Sequence, residues 1–198
     1  MKKIETELKD CYIIEPAVFG DNRGYFSPYF IQKDFDELGF EKVVQTNRSK
    51  SGKGVLRGLH FQKEPMTQAK IVEVISGAAI DVVVDMRVGS PTYGKSTAVL
   101  LTPYDKDKEG SGRQLFVPRG FAHGFAVLSE TAIFQYKCDN FYAPQADGGI
   151  SILDESLEID WKIPTDKALL SEKDLKLALL KDFDSPFSID MNLYPEFE

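Results

Sequence analysis

Apolar and polar residues alternate along residues 80–87: Ile80, Val82, Val84 and Met86 are apolar, while Asp81, Asp85 and Arg87 take three of the other four positions. Successive side chains of a strand point to opposite faces, so this period of two predicts a half-buried β-strand. Residues 132–138 repeat the pattern and place Ala132, Phe134, Tyr136 and Cys138 on one face. Further short β-rich runs span 71–75, 97–101, 115–117 and 125–128, separated by Gly, Pro, Asn, Asp and Ser turn residues. Many short strands at such spacing predict an all-β core, a sandwich, jelly roll or barrel. Helix is confined to the periphery. Residues 33–38 fit about two turns closed by Gly39. Ser171-Glu172-Lys173-Asp174 has the form of a capping box opening a helical segment through Lys181.

No internal repeat, low-complexity tract or Gly/Ser linker divides the 198 residues. They are read as one domain over 1–184 followed by a C-terminal acidic tail over 185–198. The chain carries 24 Lys and Arg against 31 Asp and Glu, a formal net charge of −7. Nucleic-acid and anionic-membrane binding call for a basic surplus or patch, and this balance argues against both. At 42% hydrophobic and 28% charged residues, the composition is that of a globular protein rather than a disordered one. The opening Met1-Lys2-Lys3-Ile4-Glu5 leads into no apolar signal region, and no long apolar run follows, which points to a cytoplasmic protein. Cys11 and Cys138 are too few and too far apart for a disulfide scaffold or a Cys-rich zinc site, and both read as structural thiols.

Only two histidines are present, so any imidazole chemistry uses His60 or His123. His123 closes Pro118-x-Gly120-x-x-His123, the spacing of the second half of a cupin metal motif. The first half would need His-x-His and a glutamate to give a transition metal its N/O ligands. Here it reads His60-Phe61-Gln62, with an amide in place of one imidazole. A resident metal is therefore not expected, which leaves His60 free to act as a base near its ordinary pKa of about 6.5. From the residues alone, both histidines equally suit hydrogen-bonded core positions, Lys70 a solvated strand position, and Tyr136 a buried hydrogen-bond cap. All six arginines lie between residues 23 and 119. They suit an anionic pocket or an ordinary surface. A phosphate loop, a Rossmann glycine run and a Gly-x-Ser-x-Gly elbow are all absent, which disfavours nucleotide hydrolysis, nicotinamide redox chemistry and serine-esterase catalysis.

Several stretches carry a family resemblance, in order along nearly the whole chain. They are Phe19-Gly20-Asp21-Asn22-Arg23-Gly24, Gln45-Thr46-Asn47, Val55-Leu56-Arg57-Gly58-Leu59-His60-Phe61-Gln62 and Ser90-Pro91-Thr92-Tyr93-Gly94. They continue with Phe116-Val117-Pro118-Arg119-Gly120-Phe121-Ala122-His123-Gly124-Phe125, Tyr136-Lys137 and Leu170-Ser171-Glu172-Lys173-Asp174. Together they resemble the dTDP-4-dehydrorhamnose 3,5-epimerase family, the RmlC-like cupins of nucleotide-sugar metabolism. The Leu-Arg-Gly-Leu-His and Gly-Phe-Ala-His-Gly-Phe pieces are the specific ones.

The resemblance implies a cupin-type double-stranded β-helix, or jelly roll, with short peripheral helices, assembled as a homodimer. It implies inversion of carbons 3 and 5 of a dTDP-4-keto-6-deoxy-hexose with neither cofactor nor metal. By resemblance His60 is the base, Asp174 its orienting partner, Lys70 the enolate stabiliser and Tyr136 the acid on the opposite face. Arg23, Gln45, Asn47, Arg57, His123, Asp147 and Lys173 match the family's substrate contacts, with Arg23 and Arg57 facing the pyrophosphate. Three departures stand out. Pro28 occupies a position where the family usually carries an acidic residue, and proline supplies no carboxylate. The 104–112 loop is longer and more charged than the family pattern, and residues 185–198 lie beyond it. The competing readings are a single-position epimerase or ketoisomerase on a related nucleotide sugar, a non-catalytic sugar-nucleotide binding module, and a metal-dependent oxygenase, which Gln62 disfavours.

Overall fold

A computed structural model describes residues 1–194, and strands occupy each of the β-rich runs. The N-terminal part supplies β1 (Lys2–Glu5), β2 (Tyr12–Glu15), β3 (Phe19–Asp21), β4 (Gly24–Phe26) and the helix α1 (Gln32–Asp36). The middle supplies β5 (Gln45–Gly52), β6 (Leu56–Gln62), β7 (Lys70–Ser76), β8 (Ala79–Asp85), β9 (Arg87–Val88) and β10 (Ser96–Leu101). Then follow β11 (Gln114–Val117), β12 (Phe121–Val127), β13 (Thr131–Cys138), β14 (Asp147–Gly149) and β15 (Phe187–Ser188). Two antiparallel sheets dominate, one ordered β1-β2-β11-β7-β13-β5 and the other β10-β8-β12-β6-β14. They pack face to face over Val72, Val74, Val83, Leu115, Phe121 and Phe134. This is the all-β jelly roll expected, with its core between two sheets.

A second apolar layer lies outside the five-stranded sheet and corrects the reading of residues 80–87. All seven residues of β8 are buried, so the strand is enclosed on both faces rather than half-buried. Ile80, Val82, Val84 and Met86 pack with Leu157, Trp161, Phe187 and Leu193, which come from the last quarter of the chain. That later chain covers the apolar side of the strand, while the alternate positions, Asp81, Val83 and Asp85, are buried as well, with Val83 in the core between the sheets. The segment read as an acidic tail takes part in this cover. Phe187 and Ser188 pair in parallel with β9, and the Leu193 carbonyl accepts from Arg119 Nη1 at 2.8 Å and Thr67 Oγ1 at 3.2 Å. The rest of that expected tail, 195–198, lies outside the described residues.

The expected first helix is present as α1, which buries Phe35 against Phe40, Ile71 and Phe116 on the outer face of the six-stranded sheet. Gly39, at φ +77, turns the chain shortly after it, a backbone angle that glycine adopts without steric cost. The expected second helix is not formed. Ser171 Oγ accepts from the Asp174 amide at 3.1 Å as a capping box requires, but only single 3-10 turns follow, at Asp174–Lys176 and Leu180–Asp182. Leu177 is extended, at φ −71 and ψ 142, and the Ala178 carbonyl accepts from the Ser151 amide at 2.8 Å. Docking against the sheet outweighs local helix propensity here.

Two glycines bring the sheet's central strands into close contact beside the histidines. A Cβ on Gly58 would stand 2.5 Å from Gly124 Cα, and one on Gly124 would stand 2.5 Å from the Arg57 carbonyl. The β6 and β12 register shifts at this point, between His123 and Phe125. The glycines of the two specific motifs are therefore the space in which these strands cross.

Candidate functional site

A cavity of about 600 Å³ opens between the two sheets, lined by residues of both. From the five-stranded sheet, β6 carries His60 and Arg57, and β12 places His123 directly opposite His60. The six-stranded sheet contributes Lys70 on β7, Tyr136 on β13 and Asn47 on β5. Lys70 pairs in register with Cys138, and Tyr136 with Asn47. Because the two sheets face each other, His60 and Tyr136 approach the cavity from opposite walls.

His60 Nε2 lies 2.6 Å from Asp174 Oδ1, and Asp174 is almost fully buried. A carboxylate only accepts, so the imidazole donates from Nε2 and keeps its lone pair on Nδ1. Burial pulls the His60 pKa below its ordinary 6.5, against the opposing pull of Asp174. Lys70 is 9% exposed, and its Nζ makes no hydrogen bond or ion pair among the described residues. Burial also lowers the Lys70 pKa, with the charges of Asp139, Asp147 and Asp81 working the other way. An unpaired ammonium in a cavity wall is a costly feature unless an anion arrives to meet it. Burial raises the Tyr136 pKa above its ordinary 10, so the phenol keeps its proton across the neutral range.

The structure also brings most of the expected binding residues to this cavity. Arg57 reaches its wall and bonds Ser51 Oγ through Nε and Nη2 at 3.3 and 3.2 Å. His123 is 8% exposed, bonded to Asp81 at 2.9 and 3.1 Å. It therefore combines the core position and the cavity position that its sequence context left open. Asp147 pairs with Lys173 at the cavity mouth and accepts from the Tyr142 hydroxyl at 3.1 Å. Gln45 stands one step back, donating to Asn47 Oδ1 at 2.8 Å. Arg23 is not brought to this cavity. It sits at the exposed turn between β3 and β4 and pairs with Asp21.

Sequence reading missed two residues of this neighbourhood. Asp81 belongs to the alternate face of an alternating strand, a position that looks solvent-facing until the outer cover of the sheet is known. Tyr142 lines the cavity although it is 55% exposed, and nothing in its sequence context marks it. Cys11 and Cys138 are both buried and free, and burial pushes their pKa values up to about 12 and about 11. Such thiols stay protonated and poorly reactive. Gln62, at the position of the missing imidazole, donates to the carbonyls of Met66 and Phe141 at 2.7 and 3.0 Å. Its oxygen accepts from the Ala143 amide at 2.7 Å. Its amide is thereby engaged on both sides, and among the described residues no three His, Cys, Asp or Glu side chains group to hold a metal ion.

Comparison with known proteins gives a consistent result. The family model for dTDP-4-dehydrorhamnose 3,5-epimerase matches residues 5–182. The dTDP-4-dehydrorhamnose 3,5-epimerase of Shigella flexneri is 48% identical over 186 residues, covering 93% of this chain and 98% of its own. The crystal structure of dTDP-4-dehydrorhamnose 3,5-epimerase from Elizabethkingia anophelis superposes with a TM-score of 0.84 at 51% identity, covering 92% of this chain and 97% of that one. A dTDP-6-deoxy-D-glucose-3,5-epimerase of Legionella pneumophila, solved in complex with dTDP-4-keto-L-rhamnose, gives a TM-score of 0.85 at 43% identity. That comparison covers 94% of this chain and 97% of the other.

Proposed function

Because this chain belongs to the dTDP-4-dehydrorhamnose 3,5-epimerase family and is an isomerase, we propose that its cavity performs a base, enolate and acid sequence on a dTDP-4-keto-6-deoxy-hexose. The observation that carries this reading is the convergence of three groups on one cavity. They are a His60–Asp174 pair on one wall, Tyr136 on the facing wall, and a buried Lys70 ammonium with no partner of its own among the described residues. Protons on carbons 3 and 5 are acidic because each neighbours the C4 ketone, and removal of either leaves an enolate. His60 Nδ1 takes the proton while Asp174 holds the ring and balances the imidazolium that forms. Lys70 meets the charge that develops on the C4 oxygen. Tyr136 returns a proton from the opposite wall, which inverts the carbon. Arg57, from this cavity, faces the pyrophosphate, with Asn47, Gln45, His123, Asp147 and Lys173 as further substrate contacts.

Incubation with dTDP-4-keto-6-deoxy-glucose in deuterated water, followed by NMR of the ring carbons, tests the reaction. Label at both carbons supports it. Label at one carbon selects a single-position enzyme, and label at neither rejects the epimerase reading for this substrate. Lys70→Ala is expected to raise the chemical barrier by roughly 3 to 4 kcal/mol with little change in KM, as removal of an oxyanion donor does. Near wild-type turnover in steady-state assays removes Lys70 from the mechanism. Activity is expected to survive a chelator, since the donors present form no metal site. Loss in chelator with recovery on adding one metal would reverse that expectation.

The same reading places the enzyme in the cytoplasm as a homodimer. Among the described residues no helix is long and apolar enough to cross a membrane. The β3–β4 hairpin supports the dimer: Phe19 and Phe26 pair across it while 63% and 69% exposed, with Arg23 at its turn. A two-stranded hairpin displaying two phenylalanines needs a covering surface. A second subunit would cover it and could receive Arg23 into its own cavity. Light scattering at assay concentration is expected to give twice the chain mass, and a monomer there rejects the dimer.

A further inference from the structure

Asp174 reaches His60 from a crossing of the chain and not from a strand. The Leu169 amide donates to the Gly54 carbonyl at 2.8 Å, and the Leu169 carbonyl accepts from the Leu56 amide, at the start of β6, at 3.2 Å. On the far side the Ala178 carbonyl accepts from the Ser151 amide at 2.8 Å. Residues 170–177 run between these anchors, and Leu170, Ser171, Lys173 and Asp174 line the cavity on the way. Among residues 171–176 Asp174 alone is buried, so an exposed crossing drives a single carboxylate inward to 2.6 Å from His60 Nε2. Ser171 holds this crossing from both of its polar oxygens. Its carbonyl accepts from the Leu175 amide at 3.2 Å, and its Oγ accepts from the Asp174 amide at 3.1 Å. A further tie runs from Lys173 to Asp147 of β14, but the Lys173 side chain is 47% exposed, and ion pairs so open to water hold little.

We propose that Ser171 is a positioning residue for the base, its hydroxyl fixing the turn at the angle that presents Asp174 to His60. This rests on the reading of His60 as the base. The chain of contacts is short: Ser171 Oγ to the Asp174 amide, then Asp174 Oδ1 to His60 Nε2. An aspartate side chain has only two rotatable bonds, so a tilt of its backbone carries the carboxylate with it. A short bond from a ring N–H to a carboxylate is strong when aligned and weakens steeply when it is not. The Ser-x-x-Asp spacing that predicts a helix start from sequence is followed here by one 3-10 turn, at Asp174–Lys176. In this fold the cap aims a carboxylate at the base where a helix would otherwise begin.

Steady-state kinetics and proton NMR of the imidazole rings test this together. Ser171→Ala is expected to lower kcat about tenfold, the scale of one lost capping hydrogen bond, with KM little changed. Ser171→Thr keeps the acceptor oxygen and should stay close to wild type. A ring proton held in a short bond to a carboxylate resonates far downfield, and the His60 signal is identified by its loss in His60→Ala. It should broaden and move upfield in Ser171→Ala and stay in place in Ser171→Thr. The ring proton of His123, bonded to Asp81 at 2.9 Å, is the internal control and should not move in either variant. The proposal is overturned by an unchanged His60 signal in Ser171→Ala, by a raised KM with kcat kept, or by a Ser171→Thr as impaired as Ser171→Ala. It is overturned as well if both ring signals fade together, which marks a loosened fold. Deuterium uptake at the wild-type rate in His60→Ala instead rejects the reading of His60 itself, so the two failures are told apart.

Discussion

His60→Ala is expected to abolish both product formation and uptake of solvent deuterium into recovered substrate. The imidazole lines the cavity and keeps its lone pair on Nδ1, while its other nitrogen is held 2.6 Å from a buried carboxylate. Without it no enolate forms at either carbon, and the unpaired Lys70 has no charge to stabilise. The low His60 pKa sets the sign of the pH dependence. A base must be deprotonated, and burial holds His60 below 6.5, so activity should persist into mildly acidic solution and fall only beneath that value. Asp174→Asn should keep the fold and the ring but weaken its orientation. It should shift the acid limb further down, because the carboxylate that favours the imidazolium is gone. Exchange at the wild-type rate in His60→Ala would show that another group is the base.

Tyr136→Phe should fail in a different way. His60 and Lys70 remain, so the enolate still forms, but the proton donor on the facing wall is missing. Reprotonation then comes from the original side, and substrate recovered from deuterated water carries label while inverted product falls by roughly 10² to 10⁴, the usual contribution of a general acid. The structure supports this split because β6 and β13 belong to opposite sheets. Single-turnover NMR measures both quantities in one sample. Wild-type inversion in Tyr136→Phe assigns the acid to water or another residue, and loss of exchange as well assigns Tyr136 to positioning.

The local pattern was enough to predict strands at 71–75, 80–87, 97–101, 115–117, 125–128 and 132–138 and an all-β core. Period-two alternation and turn residues are properties of the chain itself, felt over a few residues. His60 and His123 stood out as the two histidines of the sequence, whereas the close strand approach beside them, which admits no Cβ at Gly58 or Gly124, came from the structure. Resemblance then supplied roles for Lys70, Tyr136 and Asp174 that spacing could not. Tertiary structure decided what each face of those strands meets. The last quarter of the chain covers the outside of the five-stranded sheet and takes the apolar side of β8, so the charged side turns between the sheets and Asp81 becomes an interior carboxylate. It also decided that 171–181 stays irregular, because Ala178 is bonded to Ser151 and Asp174 is turned to His60 rather than continuing a helix. Strand identity depends on neighbours along the chain, whereas burial, and with it charge state and reactivity, depends on segments that arrive from more than a hundred residues away, as Asp174 does at His60 with a separation of 114.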